Sequence, residues 1–432
     1  MRIALLSPPR DPIAASGGQR GSVAIVLWEL ARRLARRHEV LVAAPPHRGH
    51  AGEERSAEGI RVVGVAPPAA FLHRLVEAAA GLLPGAPPHA ASTAYFRGWP
   101  QRLAGPLAAF RPDLVHVMCV APFLADFARA LPGVPLVLHL HDELLLGLDR
   151  AAASGRLGPA AAIVTVSPWL AGRLAARFPE HAPRIVAIGN GVDLERFAPN
   201  NDVNAAPARE RLLFVGRISP EKGVHVLIDA FARLAPTRPR LELELVGEPG
   251  LMPRAFLERL ERTAPLEGAL AFYGKGPLDR AWRTLRAGRG YLEAILGRLP
   301  GDLRPRVRVI GALPHDALVE RYRAADLLVA PSVCNEPFCL PVAEAMACGL
   351  ACVVSDAGAP PELVGESGIA VPPGDATALA AAIATLLDDP DRRRVMGRTA
   401  RLRAERLLGW ERAADRLETI YRGLSRASEP PA

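Results

Sequence analysis

The feature that most constrains this chain is an alternation, met twice, of short apolar runs with amphipathic or loop segments. The first series opens with Arg2 to Ser7, an apolar run closed by Pro8-Pro9. Between Ser22 and Arg37, Val23, Val26, Leu27, Leu30 and Leu34 recur at helical spacing with arginines on the other face, and Glu39 to Ala44 is apolar again. Strand, helix and strand in that order make a βαβ unit. Further apolar runs follow at Ile60 to Val65, Leu114 to Met118, Leu136 to Leu140 and Ala162 to Val166. Such alternation predicts an α/β domain with a parallel sheet covered by helices on both faces. A polar, Pro/Ala-rich stretch from Asn200 to Ala208 is the best linker candidate. The series restarts at Arg211 to Gly216 and runs through Leu241 to Val246, Val307 to Ile310, Leu327 to Val329 and Ala351 to Ser355. Two doubly wound, Rossmann-like domains are expected, residues 1–200 and 201–400, then an amphipathic helix over 401–425 and an unstructured tail over 426–432.

With 432 residues, 50% of them hydrophobic, the chain has ample material for two cores. Residues 1–200 carry 21 basic and 15 acidic side chains and the remainder 32 and 30, so the net charge of +8 is mostly N-terminal. That bias is spread along helices rather than gathered in a stripe, which argues against nucleic acid and suits an anionic small substrate or weak attraction to anionic lipid. No apolar run approaches the roughly 18–20 residues needed to span a bilayer, and the run from Met1 to Ser7 is too short for a signal peptide, so a cytoplasmic location is expected. Five cysteines imply no disulfide framework; the spacing of Cys334, Cys339, Cys348 and Cys352, with His315 nearby, lacks a CxxC pair and reads as small buried hydrophobes rather than a zinc site.

Ligands of open α/β sheets lie at the carboxyl ends of the strands. The strand ending at Val215 leads into Gly216-Arg217-Ile218-Ser219-Pro220-Glu221-Lys222-Gly223, directly before a predicted helix from Val224 to Leu234. A helix start with a guanidinium and an ammonium beside it is an anion site suited to a diphosphate. Lys222 and Lys275 are the only lysines, so a compact ammonium at 222 stands out in an arginine-rich chain. A second constellation, Glu336-Pro337-Phe338-Cys339-Leu340-Pro341 with Glu344-Ala345-Met346, follows a strand and opens a helix near Pro341, placing two carboxylates where sugar or ribose hydroxyls could donate to them. In the first half, Leu138-His139-Leu140-His141-Asp142-Glu143 and His116 sit at strand ends, and Gly17-Gly18 lets backbone approach a ligand closely. Two long segments, the Pro-rich 66–100 and the Arg-rich 250–305, read as elaborations on this scaffold.

These stretches, together with Pro361-Glu362, Asn190-Gly191-Val192-Asp193 and the closing helix at Trp410-Glu411, resemble the retaining family-4 glycosyltransferases of the GT-B fold over nearly the whole chain. The resemblance implies two Rossmann-like parallel-sheet domains facing across a cleft, acceptor side first and nucleotide-sugar side second, with the last helix crossing back to the first domain. It implies that Arg217 and Lys222 hold the donor diphosphate, that Glu336 binds donor-sugar hydroxyls and Glu344 the ribose, and that His141 lies near the reacting sugar. Gly17, Gly18, Gly216, Gly311 and the backbone N–H groups of Phe338, Cys339 and Leu340 would complete the donor site, with base and sugar identity read near Gly247, Ile310 and Gly311. Two departures reshape it: Cys339 stands where the family usually has Gly, and Pro341 offers no N–H.

The implied function is transfer of a sugar from a nucleotide diphosphate sugar to an acceptor, with retention at the anomeric carbon and no cofactor. His141, Glu336, Arg217 and Lys222 would carry it, the two cations meeting the charge that develops on the leaving diphosphate without a metal. A glycosidase would flank the bond with its carboxylates, whereas Glu336 and Glu344 read as lying on one side. A dinucleotide oxidoreductase would need G-x-G-x-x-G after a strand, which the Gly17 region lacks. A sugar-nucleotide epimerase on the same scaffold, or a catalytically silent sugar-nucleotide-binding protein, stays open. The acceptor is left as a glycan, a lipid carrier or a small molecule, and the basic N-terminal half is compatible with peripheral contact at the inner membrane face. The preference for arginine and alanine points to a GC-rich genome, and the resemblance implies a bacterial transferase of envelope or coat glycans or of sugar-containing natural products.

Overall fold

β1 (Arg2–Leu6), β2 (Glu39–Ala44), β5 (Leu114–Met118), β6 (Leu136–Leu140) and β7 (Ala162–Thr165) are buried almost throughout. Only a strand covered on both faces can be apolar on both, which is why these runs are legible without alternation. With β3 (Gly52–Arg55), β4 (Arg61–Gly64) and β8 (Ile185–Ala187) they form one sheet in the order β3-β4-β2-β1-β5-β6-β7-β8. All neighbours are parallel except β3, which pairs antiparallel with β4. The computed structural model describes residues 1–19, 21–47, 52–67, 96–200, 210–274 and 289–427. This first sheet belongs to a unit that runs to Gly191 and takes up the chain again from Trp410, while Val192–Gly409 form a second unit.

The second unit holds β9 (Glu210–Val215), β10 (Leu241–Val246), β11 (Val307–Gly311), β12 (Leu327–Ala330), β13 (Ala351–Ser355) and β14 (Gly368–Val371), in the order β11-β10-β9-β12-β13-β14. All five pairings are parallel. Leu241, Leu243 and Leu245 alternate into the core with Leu212, Phe214, Leu227, Phe231 and Ile383, while Glu242 and Glu244 take the other face. The helix Val224–Leu234 packs its apolar stripe on that core, and the helix Ala376–Asp388, capped by Asp375 through two 2.9 Å bonds from Thr377 and Ala378 N–H, packs beside it. In each sheet the winding reverses once, between β1 and β5 and between β9 and β12, and the crevice outside the carboxyl ends at such a reversal is where ligands bind.

Several expectations need correction. The unit boundary falls at Gly191–Val192 rather than at 200, and residues 201–208 of the proposed linker lie outside the described residues, as do 68–95 of the Pro-rich stretch, 275–288 of the Arg-rich one and the tail from 428. The helix expected over 401–425 is two helices, Pro390–Leu407 and Trp410–Ala427. The break has a tertiary cause: Gly409 bridges to Val192, and Trp410 packs so tightly on Gly191 that a Cβ there would lie 2.5 Å from the indole. Residues 401–407 therefore belong with the second unit. Nor is 250–305 a mere elaboration, since Tyr291, Ile295, Leu299 and Leu303 are part of the second core. Within it, Leu251 to Leu260 contributes a single helical turn, Arg254–Leu257. β3, β8 and β14 have no counterpart among the expected strands because the first is a wholly exposed charged edge and the others are three and four residues long.

Candidate active site

Two loops meet at the reversal between β9 and β12. The first leaves β9 at Gly216 and Arg217, turns at Pro220–Lys222 and enters the helix Val224–Leu234 through Gly223. Gly223 has φ 68°, and a Cβ there would sit 1.8 Å from Pro331 O, so glycine lets this loop lie against the one that leaves β12. Val333 N–H donates to Glu221 O at 3.0 Å, which stitches the two loops together.

At the junction Lys222 Nζ donates to Glu336 Oε1 at 2.6 Å, and Ser332 Oγ donates to the same oxygen at 2.6 Å. Burial works against the Lys222 ammonium, but the Glu336 carboxylate outweighs it and the net shift of its pKa is upward. Glu336 is held from behind: its N–H donates to Ala357 O at 3.2 Å and its carbonyl accepts from Ala359 N–H at 2.8 Å. That approach requires Gly358, φ 87°, where a Cβ would lie 2.3 Å from Glu336 O. Arg217 is the more open cation, with 41% of its side chain accessible, near the buried Glu221 (3.7 Å) and donating to Met252 Sδ at 3.5 Å. Glu221 accepts from Ser219 Oγ at 2.7 Å and from Tyr273 Oη at 3.2 Å. The helix start contributes less than expected, because His225 N–H already donates to Tyr291 Oη at 3.0 Å and Gly223 N–H to Pro220 O.

Glu344 lies on the helix Leu340–Ala347 and is buried. Its Oε1 is 2.6 Å from His315 Nε2 and its Oε2 accepts from Tyr322 Oη at 2.7 Å, with Phe197 packed against both rings at 5.2 and 6.0 Å. Neither His315 nor Tyr322 shows this role in the sequence, because the two lie 29 and 22 residues from Glu344. Cys339 takes the left-handed conformation, φ 77°, that a glycine would adopt freely at this position, and its carbonyl accepts from Val342 and Ala343 N–H. Burial, then the neighbouring Glu336, pushes its thiol up to about 12, so it is protonated near neutrality and is no nucleophile. Pro341 falls in the first helical turn, where a missing N–H costs nothing. Among the described residues, the N–H groups of Phe338, Cys339 and Leu340 have no partner in the chain. Gly247 and Gly311 are joined at the ends of β10 and β11 by an N–H···O bond of 2.9 Å.

In the first unit the carboxyl edge of β1, β5 and β6 carries the other candidates. Gly17 and Gly18, φ 84° and 72°, form the tip of the loop after β1. Gln19 clamps that loop by accepting from Ala14 N–H (3.0 Å) and donating to Ala14 O (2.7 Å), a role unseen in the sequence. His141 follows β6, its ring 4.4 Å from that of His139, which in turn contacts His116. Burial holds His116 and His141 neutral, their pKa lowered to about 3. Asp11 is pushed up to about 6 by burial, and Asp142 upward by the same cause. Among the described residues no group of three or more His, Cys, Asp or Glu is arranged to hold a metal, and all five thiols are free. The one Asp-x-Asp triplet, Asp389-Pro390-Asp391, opens a helix, with Asp389 Oδ1 accepting from Arg392 N–H at 2.8 Å. No helix among the described residues is long and apolar enough to cross a membrane.

Residues 23–196 match the family described as Glycosyltransferase Family 4, and residues 199–287 and 269–389 match Glycosyl transferases group 1. The D-inositol 3-phosphate glycosyltransferase of Kineococcus radiotolerans is 30% identical over 98% of this chain and 95% of its own. Sucrose-phosphate synthase from Thermosynechococcus elongatus superposes with a TM-score of 0.73 at 24% identity, covering 99% of both chains. Anabaena HepE, solved in complex with UDP-glucose, superposes with a TM-score of 0.67 at 20% identity over 98% of this chain and all of that one. The matches span both units, and the chain belongs to the family-4, group 1 glycosyltransferases of GT-B fold.

Proposed function

We propose that this glycosyltransferase takes its sugar from a nucleoside diphosphate sugar and delivers it, with retention at the anomeric carbon, to an acceptor hydroxyl or similar nucleophile. The observation that carries the reading is the Lys222–Glu336 pair, 2.6 Å apart at the β9/β12 reversal, with Arg217 on the same loop. Lys222 has three donors and gives one to Glu336, so the others can meet a diphosphate oxygen. Arg217, half exposed, can close on the diphosphate as a fork. Glu336 Oε1 is taken by Lys222 and Ser332, which leaves Oε2 to accept from a sugar hydroxyl.

In the reaction the bond from the anomeric carbon to the phosphate oxygen breaks, and a bond from that carbon to the acceptor oxygen forms on the same face. Negative charge passes to the nucleoside diphosphate, where Lys222, Arg217 and the unpartnered N–H groups of Phe338, Cys339 and Leu340 would stabilise it. The acceptor proton ends on the departing phosphate oxygen. Glu344, fixed by His315 and Tyr322, would receive the ribose hydroxyls. UDP is the leading nucleotide, in view of the ligand bound by HepE. Calorimetric titration with UDP, GDP, ADP and TDP tests the donor site: one nucleotide should bind, and at least about tenfold, or 1.4 kcal/mol, more weakly to Lys222→Ala. Equal binding to both proteins would refute the assignment, and turnover of the matching nucleotide sugar separates a transferase from a silent binder.

A further inference from the structure

The histidines of the first unit are tied to its last helix by a chain that spans most of the sequence. Tyr421, on the helix Trp410–Ala427, is fully buried with its Oη 2.6 Å from His116 Nδ1. His116 Nε2 lies 3.1 Å from His139 Nδ1, the rings edge-on at 5.1 Å between centroids. His139 then packs against His141, and the Nε2 atoms of both are buried with no partner among the described residues. These two atoms stand on adjacent rings at the carboxyl edge of a strand, the position at which open α/β sheets bind their ligands and at which a ligand can complete the bonding.

The direction of the chain follows from proton counting. Among the described residues, the Tyr421 hydroxyl has His116 Nδ1 as its hydrogen-bond partner, so its single proton must be donated there; accepting instead would bury an O–H with no acceptor. A neutral imidazole carries one N–H, so that of His116 is on Nε2 and points to His139 Nδ1. The proton of His139 is then on Nε2. All three rings are neutral because burial depresses their basicity, His139 included.

We propose that Tyr421 is a positioning residue that acts through His116 to fix His139 as its Nε2–H tautomer, so that a hydrogen-bond donor stands beside His141 for an oxygen of the sugar substrate. The nature of the ligand rests on the sugar-transfer reading above; the tautomer chain does not.

The test uses the full chain with 15N-labelled histidine. In the wild type, His116 and His139 should each show a protonated Nε2 and an unprotonated Nδ1. Tyr421→Phe keeps the ring and removes the donor, so nothing then fixes the proton on His116, and the His139 signals should move to a mixture of both tautomers. With the matching nucleotide sugar, kcat should fall about tenfold while nucleotide affinity stays within twofold. If Tyr421→Phe does not fold, His116→Gln and His116→Leu carry the test. The glutamine amide can donate to His139 Nδ1 and preserve its tautomer, whereas leucine cannot. A wild-type His139 protonated on Nδ1, an unchanged tautomer in Tyr421→Phe, or identical behaviour of the Gln and Leu variants would overturn the chain. A changed tautomer with unchanged kcat would overturn its role at the substrate. If the wild type turns over no nucleotide sugar, the sugar-transfer reading fails while the NMR result still decides the chain.

Discussion

Removing one partner of the Lys222–Glu336 pair gives the most demanding check of the site, because the cost can be worked out before any ligand is added. At 2.6 Å the bare attraction is about 6 kcal/mol at an effective dielectric near 20, which is an upper bound. The Glu336 side chain is 9% accessible and that of Lys222 29%, so desolvation has cancelled much of this gain. Lys222→Met leaves Glu336 buried with Ser332 as its side-chain donor, and a cost of about 2–3 kcal/mol is expected. Glu336→Gln should cost less, since the amide oxygen still accepts from Ser332 and Lys222 can turn to water. The double variant should fall short of additivity by about 2 kcal/mol, the coupling of the pair. For a unit of this size 1 kcal/mol moves the melting midpoint by about 2–4 °C, so Lys222→Met should melt roughly 4–12 °C lower. The readout is thermal melting followed by circular dichroism without nucleotide, taken on the transition that nucleotide raises. A Lys222→Met midpoint within about 1 °C of wild type, or an additive double variant, would show that the two side chains are not a buried pair.

Three further outcomes are expected. Gly358→Ala places a Cβ 2.3 Å from Glu336 O at a positive φ, so it should lower the melting midpoint by more than Lys222→Met and weaken nucleotide-sugar binding with it. His315→Leu leaves Glu344 with the Tyr322 hydroxyl on one oxygen and a bare carboxylate oxygen on the other. It should reduce the preference for UDP over 2′-deoxy-UDP severalfold in calorimetry, and an undiminished preference would place the ribose elsewhere. Asp11 binds its proton more tightly folded, with a pKa of about 6, than unfolded, near 3.8. Its contribution is therefore fully present below pH 3.8 and is lost as pH rises through 6, a change of about 2–3 kcal/mol across that window. Asp11→Asn should accordingly gain stability over wild type as pH rises from 4 to 6 and hold a constant lead above it in urea melts; a lead independent of pH would mean that the Asp11 carboxyl is solvated.

What could be read from the sequence and what could not divide along a physical line. β1, β5, β6 and β13 were legible because burial on both faces forces a nearly continuous apolar run, a constraint each segment satisfies by itself. β3 was illegible because an exposed edge asks only for charge, and the break before Trp410 because its cause, the bare backbone of Gly191, lies over two hundred residues away. The site divides in the same way. Arg217, Lys222 and Glu336 stand on loops at strand ends and Glu344 on the helix that follows one of them, where residue type alone proposes chemistry. Their partners come from elsewhere: His315 and Tyr322 reach Glu344 from the turn and helix before β12, and Tyr421 reaches His116 across 305 residues. Those partners change what the charges mean. A lysine and an arginine read from sequence suggest an open anion site, whereas in the folded chain Lys222 is already neutralised by Glu336 and only Arg217 is substantially exposed. On the proposed reading an incoming diphosphate would have to share Lys222 with Glu336, and a donor whose sugar hydroxyls bond to Glu336 would offset that competition. Free nucleotide cannot do so. By this reasoning the ion pair itself favours the intact sugar nucleotide over the product nucleotide, and Glu336→Gln should narrow the difference in their affinities.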